Sequence, residues 1–120
     1  MNESIALTEA TYFILLSLWT PQHGYGIMQR AEELSGGRVR LAAGTLYGAL
    51  SQLTAKGWII LLPTDEASRR KDYALTDKGR IVLKAEIERL RGLVRSGDRV
   101  VNGEEVLQIS GGEALREEEK

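Results

Sequence analysis

Cysteine is absent from these 120 residues, which excludes a disulfide framework and any thiolate metal or redox chemistry. Histidine occurs once, at His23. A lone imidazole without a second histidine or a nearby acid suits a turn or packing position better than a metal ligand or general base. Triad hydrolysis, multi-ligand metal catalysis and phosphate loops ending in Lys-Ser/Thr therefore lack their residues. Gly24-Tyr25-Gly26 forms a Gly-x-Gly, but a third glycine is missing and no strand is expected before it, so a dinucleotide site is not indicated. Neither an enzymatic activity nor a cofactor is expected. Apolar runs fall well short of the ~18 residues that span a bilayer. The first residues carry Glu3 and Glu9 and no basic n-region, so a soluble, unprocessed, cytoplasmic chain without a membrane partner is the expectation.

A large excess of one charge is lacking too. The net charge is −1, but the distribution is uneven. From Arg38 to Lys71 six cations (Arg38, Arg40, Lys56, Arg69, Arg70, Lys71) face two acids (Asp65, Glu66), whereas Glu113 to Lys120 holds four acids against two cations. A basic middle of this size is common by chance and does not establish a nucleic-acid partner.

The chain does have the make-up of one small globular domain, with 42% hydrophobic and 28% charged residues. Apolar period and polar remainder separate most cleanly from Leu41 to Ile59. On a helix, Leu50 and Leu53 fall within about 40° of Leu46, one narrow inward stripe. The opposite face holds Gly44, Gly48, Ser51 and Ala55, flanked by Thr45 and Gln52 on one side and Tyr47 and Thr54 on the other. It is small, polar and almost uncharged, unlike a solvated face laced with Lys and Glu. Lys56-Gly57 supplies a C-terminal cation and a terminating glycine.

The string GTLYGALSQLTAKGWI, followed by a short basic hairpin ending in KDYALTDKG and preceded by HGYGI at residues 23–27, resembles the PadR family of bacterial transcriptional regulators. The likeness covers about residues 7–95. Gly48 departs from the proline many members carry there, and the end beyond about residue 103 matches nothing in the family. The resemblance implies a mainly α chain with a small β-hairpin, a winged helix-turn-helix with a C-terminal coiled-coil-like dimerisation helix, in the short form that has a single such helix. Its implied domains are 1–76 for DNA binding and 77–103 for dimerisation; residues 104–120, outside the likeness, read from their composition as an acidic, poorly ordered tail. The resemblance further implies a homodimer, most often a repressor, on double-stranded DNA; the near-neutral charge and acidic tail keep open the alternative of a winged-helix protein-interaction module without specific DNA binding.

Taken in order, Ala10 to Trp19 reads as a helix apolar most of the way round, with Phe13, Ile14, Leu16, Leu18 and Trp19. It is either the central core helix or partly covered by a second subunit, and the two readings weigh equally. Thr20 to Gly24 turns the chain. A one-sided helix runs from Tyr25 through Ile27, Met28, Ala31 and Leu34 to Ser35-Gly36-Gly37 and is the first helix of the helix-turn-helix. Arg38 and Arg40 in the connection would lie near a duplex backbone. Residues 58–62 read as a strand, 63–70 as a loop and 71–75 as the returning strand, with Arg69, Arg70 and Lys71 beside the tip. Such a wing reaches phosphates or the minor groove; a solvated charged hairpin is the plainer alternative.

Thr76 caps a last helix, with Asp77 in its first turn, its ordered seam at about 77–96 and its continuation to Val101 left open. Leu83, Ile87, Leu90 and Val94 step by four, three and four, a coiled-coil seam with Val101 seven residues beyond. Packing back on its own domain is the other reading of that stripe. Gly97 weakens the end, a short helix is conceivable at Glu104 to Ile109, and the last residues are expected to fray. On the DNA reading, the helix from Ala43 to Ala55 enters the major groove with Thr45, Tyr47, Ser51 and Gln52 near bases and phosphates, Gln52 being the candidate for adenine. Arg38, Arg40, Lys56 and the wing cations neutralise phosphate. Phe13, Trp19, Leu83, Ile87, Leu90 and Val94 are the candidate dimer contacts. Phe13 and Trp19 are candidates for a cavity holding a small apolar effector, with plain core packing the other reading. The last helix has no aromatic residue to add.

Overall fold

The computed structural model describes residues 6–64, 67 and 70–103. The acidic tail and the short helix expected at Glu104 to Ile109 lie outside them. Packing divides the chain into one compact unit that runs through Arg89 and a second that starts at Leu90.

The first helix, α1 (Glu9–Ser17), begins where Thr8 Oγ1 accepts the Thr11 N–H at 3.1 Å, a side-chain cap on a helix whose first residue is acidic. It ends two residues earlier than the Trp19 expected. The N–H groups of Leu18 and Trp19 bond the carbonyls of Leu15 and Leu16, both at 3.1 Å, which tightens the last turn and stops propagation. Ile14, Leu15 and Leu18 are fully sealed, while Phe13 and Leu16 are half-buried.

The turn expected next contains a strand. Gln22–His23 form β1, paired antiparallel to β3 (Asp72–Leu75) through Gln22 opposite Tyr73 and His23 opposite Asp72. Two polar residues carry no alternation from which a strand can be read; the pairing exists because it covers an otherwise open edge of β3. The other edge takes β2 (Ile59–Leu61), so the hairpin is part of a three-stranded sheet in the order β1-β3-β2.

Helix α2 (Gly24–Leu34) and helix α3 (Ala43–Ala55) end alike. After α3, Gly57 sits at φ +79° and donates to Thr54 O at 3.0 Å while Trp58 N–H reaches Leu53 O at 3.1 Å. After α2, Gly36 at φ +64° donates to Glu33 O and Gly37 to Glu32 O. Both are Schellman closures, and a left-handed residue at that place favours glycine.

The stripe Leu46, Leu50 and Leu53 is buried as its spacing predicts, against Ile14, Leu15, Ile27, Trp58, Ile59, Leu75 and Leu83. At roughly 1.5–3 kcal/mol for each large apolar side chain removed from water, this cluster dominates the stability of the unit. Helix α4 (Asp77–Val101) starts on Thr76, whose Oγ1 accepts the Gly79 N–H at 3.0 Å and donates to Gly57 O at 2.6 Å. Gly79 lies so close to the backbone of Trp58 that a Cβ there would collide with the Trp58 carbonyl. The helix continues unbroken through Gly97 to Val101, the longer of the two extents the sequence left open. The fold is thus mainly α with a small antiparallel sheet.

Candidate nucleic-acid interface

The outward face of α3 exposes Gly44, Thr45, Tyr47, Gly48, Ser51, Gln52, Thr54 and Ala55, and the helix itself contains no charged residue. Thr45, Ser51 and Gln52 are therefore all available to a ligand. Tyr47 is only half committed to one. It is 49% exposed, yet its phenol end presses on the Gly24 backbone, where a Cβ would clash. Its proximity to Tyr73, together with the burial of that side chain, pushes the Tyr73 hydroxyl above its ordinary pKa, burial being the larger cause. Gly26 makes room in the same way for the Gln22 side chain. The Gly-x-Gly of the sequence is thus a packing device: two glycines let a tyrosine from α3 and a glutamine from β1 lie flat on the start of α2.

Cations border this face. Arg38 and Arg40 precede α3 and Lys56 follows it, all exposed. Each already has an intramolecular neighbour. Arg38 donates from Nε and Nη2 to both carboxylate oxygens of Glu9, at 2.9–3.1 Å, which raises its own pKa and holds the Glu9 carboxyl below the ordinary value. Arg40 lies 3.4 Å from Glu32 and Arg70 3.2 Å from Asp72. Lys56 Nζ stands 4.8 Å over the Trp58 ring. Lys71 is exposed at the start of the returning strand, and Arg69 lies outside the described residues. None of these carboxylate partners was singled out in the sequence, because they come from α1, α2 and β3 and only one is adjacent in the chain.

One end of α3 also meets the segment that leads into α1. A crevice of about 170 Å³ is lined by Leu7, Thr8 and Thr11 on one side and Gln52, Leu53, Lys56 and Trp58 on the other. This segment is tied down by a buried acid that sequence reading missed. Glu86 on α4 is 4% exposed; its Oε2 accepts the Leu7 N–H at 3.2 Å, and Arg89 donates to both oxygens at 2.7 and 2.8 Å. The Arg89 bonds, more than the Leu7 bond, lower its pKa against the opposing effect of burial. A Glu three residues before an Arg gives no hint that one of the pair is inside.

The candidate dimer contacts separate. Leu83, at 1% exposure, packs in the core of its own domain. Ile87 is half-buried and packs against the same core. In the second unit Leu90 is half-buried and Val94 is 61% exposed, with Leu93, Val100 and Val101 exposed beside it although the seam did not include Leu93 or Val100. Phe13 is half-buried, edge-on to Tyr12 with ring centroids 5.2 Å apart. Trp19 is 42% exposed. The Arg80 guanidinium stacks 4.2 Å from its ring, Arg80 Nη2 bonds its carbonyl at 3.2 Å, and Lys84 approaches to 5.9 Å. Trp19 therefore pins the end of α1 to α4.

Among the described residues no three His, Asp or Glu side chains converge as a metal site would require, and no helix is long and apolar enough to cross a membrane. The Transcriptional regulator PadR-like family matches residues 14–85, more than half of the chain. The chain belongs to the PadR-like family of transcriptional regulators. Its members regulate transcription and are not enzymes. An uncharacterized 37.1 kDa protein in a transposon of Streptomyces fradiae is 42% identical over 77 residues, which cover 62% of this chain and 21% of that protein, so the chain spans about a fifth of the length of the curated relative it matches. A PadR family regulator from Clostridium difficile superposes with a TM-score of 0.60 at 25% identity, covering 75% of this chain and 97% of that one. Bacillus subtilis PadR, solved in complex with operator DNA, is similar with a TM-score of 0.56 at 28% identity over 67% of this chain and 46% of that one. The mainly helical chain with its small three-stranded antiparallel sheet thus has the fold of PadR winged-helix regulators.

Proposed function

We propose that this PadR-like chain is a sequence-specific DNA-binding regulator that acts as a homodimeric repressor. The observation that carries the reading is the outer face of α3: exposed, short-chained and uncharged along its length, with cations at both ends. An α-helix with such a face fits the major groove, where Thr45, Ser51 and Gln52 meet base edges and Gln52 reads adenine. Tyr47 would present its exposed ring edge while its hydroxyl end stays on α2. Arg38, Arg40 and Lys56 would meet phosphates beside the groove, and Arg69, Arg70 and Lys71 would do so from the wing. That Bacillus subtilis PadR was captured on operator DNA supports the same use of the same fold here.

Residues 1–76 form the DNA-binding part on this reading and 77–103 the dimerisation helix. The apolar groups at Leu93, Val94, Val100 and Val101 suit an isologous contact with a second copy, and a two-fold dimer reads a pseudo-palindrome with half-sites about one helical turn, or a multiple of it, apart. Phe13 and Trp19 are further candidate contacts of the dimer. A small apolar effector bound there regulates only if it prefers one of two half-site spacings.

Fluorescence anisotropy on labelled DNA from upstream of the gene, against scrambled DNA and at two salt concentrations, tests the reading. The wild-type protein is expected to prefer the native fragment, to weaken with salt, and to weaken on both DNAs when Arg69 and Arg70 are changed to Ala. Equal, weak binding to both DNAs, unchanged in the double variant, would overturn it and favour a protein partner for this face.

A further inference from the structure

A chain of net charge −1 is an unusual partner for a polyanion, and the position of its acids gives that number a meaning. Three of the arginines bordering α3 and the wing face a carboxylate of their own chain: Glu9 on Arg38, Glu32 on Arg40 and Asp72 on Arg70. The first two pairs join separate elements, and both lie in water. The side chains of Arg38 and Glu9 are 69% and 58% exposed, those of Arg40 and Glu32 75% and 49%. Exposed pairs of this kind add little to the stability of a fold. What the Glu9 pair does is occupy the donor edge of a guanidinium. Glu9 takes Nε and Nη2 of Arg38 together, the two-pronged edge that also fits a phosphate.

We propose that Glu9 is an affinity-limiting residue of the DNA interface: an intramolecular competitor that backbone phosphate must displace before Arg38 can bind it, with Glu32 acting in the same way on Arg40. The inference rests on the DNA-binding reading above and adds a regulation of that site. Glu9 is held below its ordinary carboxyl pKa chiefly by the Arg38 hydrogen bonds, so it stays ionised and competing at neutral pH. Because phosphate contacts are shared by every DNA sequence, the competition lowers operator and background affinity by one factor. It limits how much protein the bulk of a genome can hold, while the base contacts of α3 are untouched.

The test is a double-mutant cycle on Glu9→Gln and Arg38→Ala, with Glu32→Gln and Arg40→Ala as an independent second cycle. The DNAs are the upstream fragment and a scrambled duplex, titrated across a salt series, and thermal melts accompany each variant. Glu9→Gln is expected to tighten both DNAs by about 2- to 5-fold, the worth of an exposed ion pair. It should leave their ratio unchanged and steepen the salt dependence by up to about one counterion. In the Arg38→Ala background the same change is expected to lose its effect, and Glu32→Gln is expected to repeat the pattern with Arg40. Unchanged affinity in Glu9→Gln, or equal tightening with and without Arg38, would overturn the competition while leaving the DNA-binding reading in place. Wild-type protein without affinity for either DNA at low salt would remove that reading and the inference with it.

Discussion

Helix α3 and the part of α4 beyond Leu90 are both amphipathic, yet they dispose of their apolar residues in opposite ways. On α3 the three leucines of the stripe are sealed inside one chain, and what faces water is glycine, alanine, serine, threonine, glutamine and one half-exposed tyrosine. Beyond Leu90 the apolar residues themselves face water, Val94 at 61% exposure and Val101 at 81%. The first surface is finished as folded and suited to polar recognition. The second leaves apolar area in water, as the dimer contact proposed above would require. The lesson is that a periodic stripe states that a face will be covered and is silent about what covers it. Leu83 and Val94 belong to one seven-residue pattern and end on opposite sides of that question.

The contrast can be broken most forcefully from the sealed side. Leu50→Ala, in the middle of the α3 stripe, is expected to cost about 2–5 kcal/mol in urea unfolding, with self-association of the remaining folded protein unchanged. Smaller, but distinctive in its pH dependence, is the effect of Glu86→Gln. Charge-assisted hydrogen bonds of the kind Glu86 accepts are worth about 1.5–3 kcal/mol together with their desolvation cost. The folded pKa of Glu86 lies below its ordinary value, so its contribution is complete above the ordinary carboxyl range and is lost as pH falls through the lowered folded value. The wild type should therefore lose more stability than the variant on acidification; parallel acid limbs in the two stability curves would assign the clasp no role. The smallest effect on the fold itself belongs to Val94→Lys, within about 0.5 kcal/mol as for an exposed site. In sedimentation the same variant should shift the protein toward monomer, and the concentration dependence of its Tm should disappear. Unaltered association would place the dimer contact elsewhere than Val94.

Most of the fold was legible because its signals are local. The α3 stripe, the glycines after α2 and α3, the Thr76 cap and the two strands of the wing are all set by residues within a few positions of each other. What escaped reading was long-range. Strand β1 is two polar residues recruited by an open strand edge; the glycines at 24 and 26 are required by side chains from elsewhere; Glu86 is buried by Leu7, 79 positions away in sequence. Gly97 does not end α4, since its helical cost of about 1 kcal/mol is small beside that of breaking a continuous helix. Within the candidate interface, the exposure of Thr45, Ser51 and Gln52 follows from the period of α3, but the partners of Arg38 and Arg40 do not. An ion pair between elements depends on how those elements pack, and no spacing encodes it.

The hydroxyl of Thr76 has a mechanical consequence. It ties the carbonyl of Gly57, where the chain leaves α3, to the amide of Gly79, in the first turn of α4, and Gly79 rests directly on the Trp58 backbone. With no side chain between them to act as a cushion, the exit of α3 and the root of α4 form a stiff elbow. A methyl at Gly79 would meet the Trp58 carbonyl and force that elbow apart.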